Sequence, residues 1–291
     1  MAVVAEPRSK RDAVTGAFSF TGRAIAEQLL AEGCEVVTLV RRPPTANPFG
    51  DRIRIAPLAL DEPSGLAAGL AGVDTLYNTY WIRFPRGAVT FETAIAGTLR
   101  LIDAASRAGV RRLVHLSVVN STDRPVTPYF AAKARLEQEV RASGLSHAIV
   151  RPTLTYGPGD ILVNNLCWVL RRFPVFGIPG DGQYRLQPVH VDDVAAIAVG
   201  AGRQTADLAV DAAGPETFAF DEFVGLLADA VGSRARLVHM PPRLAHYASR
   251  MLGLMVRDVM LTGDEITELM ASLLVSSMPP AAVVSFRRWV H

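Results

Sequence analysis

The stretch Asp12-Ala13-Val14-Thr15-Gly16-Ala17-Phe18-Ser19-Phe20-Thr21-Gly22 reads as a strand that runs into a helix through a glycine-bearing turn. Asp12 to Thr15 is short and opens on a charge, where a central parallel strand is normally apolar. The turn after Thr15 is what supports reading it as a strand. Gly16 and Gly22 flank Ser19, and such a turn presents backbone N–H groups and a positive helix N-terminus to a dinucleotide pyrophosphate. Ser19 stands where the fingerprint usually carries its middle glycine, so either the phosphate sits back from a Cβ atom or the hydroxyl hydrogen-bonds to it. A plain strand-to-helix turn would carry the same two glycines. The candidate cofactor contacts here are Gly16, Phe18, Ser19, Phe20, Thr21, Gly22 and Arg23.

Outward from this turn, short β-branched runs alternate with longer segments of helical period, the pattern of a parallel sheet with helices on both faces. Strands are expected at Val36 to Val40, Arg52 to Ala56, Thr75 to Asn78, Arg112 to Ser117 and Ala148 to Arg151. Helices are expected at Thr21 to Leu30 and Thr90 to Arg107, with Gly33 and Gly109 just beyond their ends. The fold class is α/β, a Rossmann-type doubly wound parallel sheet with a smaller C-terminal substrate lobe. Pro and Gly cluster from Pro152 to Pro188. Beyond them a helix opens after Asp192-Asp193, a strand fits Asp207 to Asp211, and Phe220 to Val231 and Pro242 to Met255 read as amphipathic helices. The divisions are a tail at 1–11, a dinucleotide-binding core at 12–152 and a lobe at 153–291, interleaved with the last core elements at about 186–212.

Composition bounds the function classes. Apolar residues make up 49% of the 291, enough for a full core, and the formal charge is +2. Its arginines are dispersed, with no basic block for nucleic acid. Cys34 and Cys167 show no metal-ligand spacing, so reduced thiols in a cytoplasmic protein and no metal are expected. The opening MAVVAEPRSKRD lacks a secretory signal, and no apolar run reaches the ~18 residues of a membrane span. The expected partner is a small-molecule substrate, with no nucleic acid, no membrane and a homodimer left open.

About 20 residues after the turn, an NAD-binding fold commonly places an acid on the ribose 2′-hydroxyl. Here the chain has Arg41 and Arg42, with Arg23 inside the first helix. Positive charge there suits a 2′-phosphate and favours NADP(H), with NAD(H) left open because exposed arginines are common in this chain.

Only two lysines occur, Lys10 and Lys133, and Lys133 follows Tyr129 by four residues in Tyr-Phe-Ala-Ala-Lys. Six tyrosines and two lysines would pair this way by chance only about 0.04 times. A tyrosine that moves a proton near neutral pH starts from a pKa of about 10, which a nearby cation lowers. Lysine supplies a compact charge where arginine supplies a rigid fork. Thr127 can cap a helix here, Pro128 suits its first turn and Gly144 its end, which places Tyr129 and Lys133 on one face. A surface pair on an amphipathic helix is the alternative.

Taken together, Thr15-Gly16 to Gly22, Tyr129 with Lys133, Arg151-Pro152 to Tyr156-Gly157-Pro158, and His190-Val191-Asp192-Asp193-Val194 resemble the extended or atypical short-chain dehydrogenase/reductases. More narrowly, they resemble the NAD-dependent epimerase/dehydratase family and its NmrA-like relatives. The resemblance covers about residues 12 to 240 and leaves the last 50 without a counterpart. It implies Tyr129 as acid/base, Lys133 on the nicotinamide ribose, and Ser117 on the substrate oxygen, with Ser121 a rival. Asn78, Pro152 and Thr153 would line the cofactor. Tyr80, Trp81 and Tyr156 would line the substrate, although the first two could equally be core. Arg185 lies one residue farther from His190 than the phosphate-binding arginine of sugar-nucleotide epimerases. Asp192 is expected to cap a helix and His190 to be structural. Ala94 falls near where many relatives carry a relay asparagine.

The implied activity is hydride transfer between nicotinamide and a carbonyl or hydroxyl carbon. Epimerisation or dehydration, including of a nucleotide sugar, is the alternative. A non-catalytic redox sensor or accessory subunit of respiratory complex I is the alternative of another class.

Overall fold

The structure, a computed structural model, describes residues 10–121, 126–248 and 262–291. In chain order the strands begin with β1 (Arg11–Thr15), β2 (Glu35–Val40), β3 (Ile53–Pro57), β4 (Thr75–Asn78), β5 (Arg112–Leu116) and β6 (Ser146–Pro152). They continue with β7 (Leu154–Tyr156), β8 (Val175–Pro179), β9 (Arg185–Leu186), β10 (Pro188–His190), β11 (Leu208–Ala212), β12 (Phe218–Ala219) and β13 (Arg236–Met240). The helices are α1 (Phe20–Ala31), α2 (Pro63–Gly69), α3 (Phe91–Arg107), α4 (Pro128–Ala142), α5 (Leu162–Arg172), α6 (Val191–Arg203) and α7 (Phe220–Ala230). They end with α8 (242–248), α9 (Gly263–Met270) and α10 (Phe286–Val290). The helix expected at Pro242 to Met255 is thus traced as far as 248, and the rest lies outside the described residues. So do residues 1–9 of the expected tail.

A seven-stranded sheet runs in the order β11-β6-β5-β4-β1-β2-β3, and every pairing from β6 to β3 is parallel. The order reverses direction between β1 and β4, which makes the carboxyl ends of these two strands the topological switch point where such sheets bind ligands. All five residues of β5 are buried, as expected of a strand covered on both faces. The charge that blurs β1 in the sequence has a partner: buried Asp12 accepts from Arg203 Nη1 at 2.7 Å. Arg112 is also buried, and its guanidinium donates to the carbonyls of Ala201 and Ala206 and to Ser146 Oγ. A fork with five donors satisfies the end of α6 and the turn beyond it in one step.

The chain forms two compact units. The first comprises residues up to Ser117, Ala132–Val150 and Ala195–Val210. The second comprises Val118–Ala131, Arg151–Val194 and residues from Asp211 onward. The second unit therefore claims a segment after β5 that the sequence division places in the core. Within it, Asn120 takes a left-handed conformation and donates to the carbonyls of Leu273 and Val275.

The second unit's core gathers Leu166, Phe176, Leu186, Phe218, Phe223 and Phe286 among others. The described end of its C-terminal segment, which matches no expected motif, is tied to this unit by hydrogen bonds. Asp193 Oδ2 accepts from the N–H groups of Val283 and Val284, and Glu216 accepts from Ser285 Oγ and Arg287 N. Among the described residues no helix is long and apolar enough to cross a membrane. Both cysteines are free thiols.

Candidate active site

The turn after β1 is built from its two glycines. Gly16 has φ +68°, and a Cβ atom at Gly22 would lie 2.3 Å from the Gly16 carbonyl oxygen, so the helix can leave the strand this steeply only with glycine there. That carbonyl also accepts from Ser19 N–H at 2.8 Å and from Ser19 Oγ at 2.7 Å. The Ser19 hydroxyl thus donates to the turn itself. The first α-helical bond runs from Arg23 N to Ser19 O, so the N–H groups of Phe20, Thr21 and Gly22 precede the helical ladder. Their position is that of an anion-binding helix start, and the cradle fits a dinucleotide pyrophosphate. Phe18 packs beside Phe49, with ring centroids 6.0 Å apart.

At the end of β2, Arg41 lies over the Tyr80 ring, 5.3 Å from its centroid, and donates to the Tyr80 hydroxyl. A residue expected at the cofactor and one expected at the substrate are thus joined. Gly97 on α3 leaves the Tyr80 ring its room, since a Cβ there would stand 3.0 Å from ring carbon Cε1. Arg42 is exposed, and Arg23 pairs with Glu27 one turn along α1.

Asn78 ends β4 as a brace more than as a free carboxamide. Its Oδ1 accepts from Tyr80 N–H and Thr15 Oγ1, and its Nδ2 donates to His115 Nδ1 at 3.1 Å. Because a backbone N–H fixes which end of the amide accepts, His115 Nδ1 must accept too, and its proton sits on Nε2. Burial and the neighbouring Lys133 push the His115 pKa down to about 3, so the ring is neutral. Tied down in this way, Asn78 supports three strand ends.

Lys133 is 3% exposed. Its Nζ donates to the Leu116 carbonyl at 2.9 Å and lies 4.5 Å from the centroid of the Trp81 ring, which stacks on Phe91. Loss of hydration lowers its pKa to about 7, with Glu137 pulling the other way. The reading of Tyr129 and Lys133 as a surface pair fails at Lys133. Tyr129 is half-buried, one turn earlier on α4, and belongs to the second unit where Lys133 belongs to the first.

Ser117 is buried just beyond β5, and its hydroxyl donates to Glu137 Oε1 at 2.6 Å. The sequence reading missed Glu137 and His115, although periodicity could have found both. Glu137 follows Lys133 by four on the same helix, and His115 precedes Ser117 by two on the strand.

The remaining expected residues have partners of their own. The Thr127 hydroxyl donates to buried Glu268, whose pKa burial raises to about 7. Tyr156 is no substrate wall. It is fully buried in the second unit, edge-on to Phe286 and Trp289, with its hydroxyl on the Val284 carbonyl. His190 packs against the same ring and is structural in placement. Asp192 lies inside α6 rather than before it, and its N–H donates to Nδ1 of His190, the residue that precedes the helix, at 3.3 Å. Thr153 donates through its N–H to the Ala212 carbonyl, and Pro152 accepts from Val119 N–H. Arg185 is exposed and Ser121 half-buried. Ala94 is buried on α3, so no carboxamide stands at that point.

The model of the NAD dependent epimerase/dehydratase family matches residues 13–210. The 40 kDa subunit of mitochondrial NADH-ubiquinone oxidoreductase from Neurospora crassa is 27% identical over 87% of this chain and 68% of its own length. Ceramide reductase from Caulobacter vibrioides is 28% identical over 79% of this chain and 73% of its own. Among solved structures, Citrobacter sp. triphenylmethane reductase complexed with NADP(H) superposes with a TM-score of 0.78 at 17% identity, covering 97% of this chain and 98% of that one. MoeE5 in complex with UDP-glucuronic acid and NAD superposes at 0.67 with 25% identity, covering 80% and 86%. With its switch-point turn, its parallel sheet and a family match across two thirds of its length, the chain belongs to the NAD-dependent epimerase/dehydratase family of NAD(P)-binding Rossmann-fold proteins.

Proposed function

We propose that the chain is an oxidoreductase preferring NADP(H), with a small-molecule carbonyl or alcohol as substrate. The observation that carries this is Lys133: an ammonium group is held almost out of water at the end of β5, one helical turn from a tyrosine. Burying a lysine is costly, and a merely structural role does not call for it. Bound nicotinamide supplies or takes up the hydride. Tyr129 gives its proton to the substrate oxygen in reduction and recovers it in oxidation. Lys133 favours the phenolate while it carries its own proton. Because its proton goes to Glu137, Ser117 meets the substrate through a lone pair, as an acceptor for a hydroxyl. Arg41, with Arg23 and Arg42, supports the NADP(H) preference, and Arg185 supports an anionic substrate group.

The test is a fluorescence titration with NADPH and NADH, then a carbonyl screen on wild type and Tyr129→Phe. Loss of the phenol should lower kcat about 10²- to 10⁴-fold with cofactor affinity retained. Wild-type turnover by Tyr129→Phe would end the mechanism, and NADH binding without NADPH binding would end the cofactor preference.

A second reading is a cofactor-binding protein without turnover. Ala94 in place of a relay carboxamide favours it, and the relatives include a mitochondrial complex subunit. An intact Tyr129 stands against it. Under that reading NADPH binds and every carbonyl in the screen fails.

A further inference from the structure

We propose that Glu137 is a positioning residue of this site, the group through which α4 holds both the Lys133 charge and the Ser117 hydroxyl. The proposal deepens the oxidoreductase reading, and rests on it only in supposing that Lys133 and Ser117 serve the reacting atoms.

Lys133 and Glu137 are both buried, at 3% and 4% exposure, and four residues apart on α4. Lys133 Nζ donates to a backbone carbonyl, while Glu137 Oε1 takes the Ser117 proton and Oε2 lies 3.6 Å from half-exposed Arg141. A buried carboxylate is expensive unless its lone pairs are used and its charge is answered. Ser117 uses one lone pair, Arg141 faces the charge at 3.6 Å from the exposed side, and Lys133, one turn away on α4, feels it from the buried side.

The reverse also holds. The Lys133 ammonium has a carbonyl and an aromatic face in place of water, and that loss of hydration favours the neutral amine. Of the other groups packed here, His115 on β5 is neutral and therefore cannot help, and Arg141 repels. Tyr129 one turn back is the group Lys133 is meant to influence. Glu137 is left as the anion that keeps the site's cation charged. It fixes the direction of the Ser117 proton with the same carboxylate.

The chain makes this directly measurable, because it has only two lysines. Protein labelled with ¹³C at lysine Cε gives two signals, and Lys10→Arg identifies that of Lys133. The titration uses the full chain without cofactor or substrate. In Glu137→Gln the Lys133 midpoint should fall by about one pH unit, as expected on removing a nearby opposite charge. Glu137→Asp, which keeps the charge, should recover much of that shift. Glu137→Met supplies a second neutral variant suited to a buried position should Gln compromise folding, and it should shift the midpoint as Gln would. In active protein the alkaline limb of kcat/KM should move down with the Lys133 midpoint, which a purely structural role would not produce.

A Lys133 midpoint unmoved in the neutral variants overturns the proposal. So does an Asp variant that titrates like Gln. Since the titration needs no turnover, failure of the carbonyl screen would sink the oxidoreductase reading and leave this result standing. An unmoved lysine would do the opposite.

Discussion

The buried polar side chains at the end of β5 and those of the His190 motif have different partners. In the first group, Lys133, Glu137, Ser117 and His115 lie together at the carboxyl end of β5, and the arrangement holds an ammonium near its point of deprotonation. In the second group, Tyr156, His190 and Asp193 come from equally conspicuous sequence motifs, yet they bolt down the C-terminal segment. Tyr156 hydrogen-bonds Val284, Asp193 takes two backbone N–H groups, and Tyr156 meets Phe286 and Trp289 ring to ring. The lesson is that a motif identifies a place in the fold, while the partners of a buried group tell what holds it there. The chemistry proposed for Lys133 rests on a charge kept dry at the end of β5, on the helix that also brings Glu137 to Ser117.

The strongest challenge to that contrast is to remove the keystone of the second unit. Phe286 is fully buried, stacked on Phe223 with centroids 4.7 Å apart and edge-on to Tyr156 at 4.8 Å. Phe286→Ala should cost about 3–5 kcal/mol in urea unfolding. NADPH affinity should stay within about twofold under conditions where the protein remains folded, a change well below the tenfold that 1.4 kcal/mol represents. A cost below about 1 kcal/mol would mean that the C-terminal segment is not part of this core. A parallel loss of NADPH binding would break the division of labour.

Glu268 is an exception within the second unit, a buried carboxylate whose pKa burial raises to about 7. Its pKa rises from 4.5 to about 7, chiefly through burial, with Thr127 opposing. A raised carboxylate pKa means that the folded state binds the proton more tightly, so the associated stability is present below pH 4.5 and is lost as pH rises through 7. Glu268→Gln keeps an acceptor for Thr127 and removes this titration. The stability difference, variant minus wild type, should therefore climb by about 3 kcal/mol between pH 4.5 and pH 8. A difference that does not change with pH would return Glu268 to the satisfied structural class.

The contrast also explains what could be read from the sequence. The turn at Gly16 and Gly22, the strands and the Tyr129/Lys133 helix were all legible because local geometry dictates residue type: a missing Cβ, a period of two, a spacing of four. Asp12 made β1 the weakest strand to read because its partner Arg203 is 191 residues away. The Thr127 hydroxyl has a partner almost as distant, Glu268, 141 residues on. Tyr156 followed a familiar motif, but the rings that bury it come from the C-terminal segment. Local signals are carried by neighbours, whereas burial is set by whatever packs against a residue, and no spacing encodes that.

Arg41 tests the contrast with the smallest effect, because two roles meet in one exposed side chain. It lies over Tyr80 and donates to its hydroxyl, which is structure, and it follows β2 where a 2′-phosphate would be held, which is recognition. A charge-assisted hydrogen bond contributes about 1.5–3 kcal/mol, less at an exposed site. Arg41→Ala should thus weaken NADPH binding about tenfold, or ~1.4 kcal/mol, and leave NADH binding unchanged. The NADPH effect should shrink as salt is raised, because screening acts on exposed charges. If both cofactors weaken equally and salt has no influence, Arg41 acts by holding Tyr80 in place. Unchanged binding of both would remove Arg41 from the site, and the NADP(H) preference would then have to rest on Arg23 and Arg42, the first of which already has Glu27 as its partner.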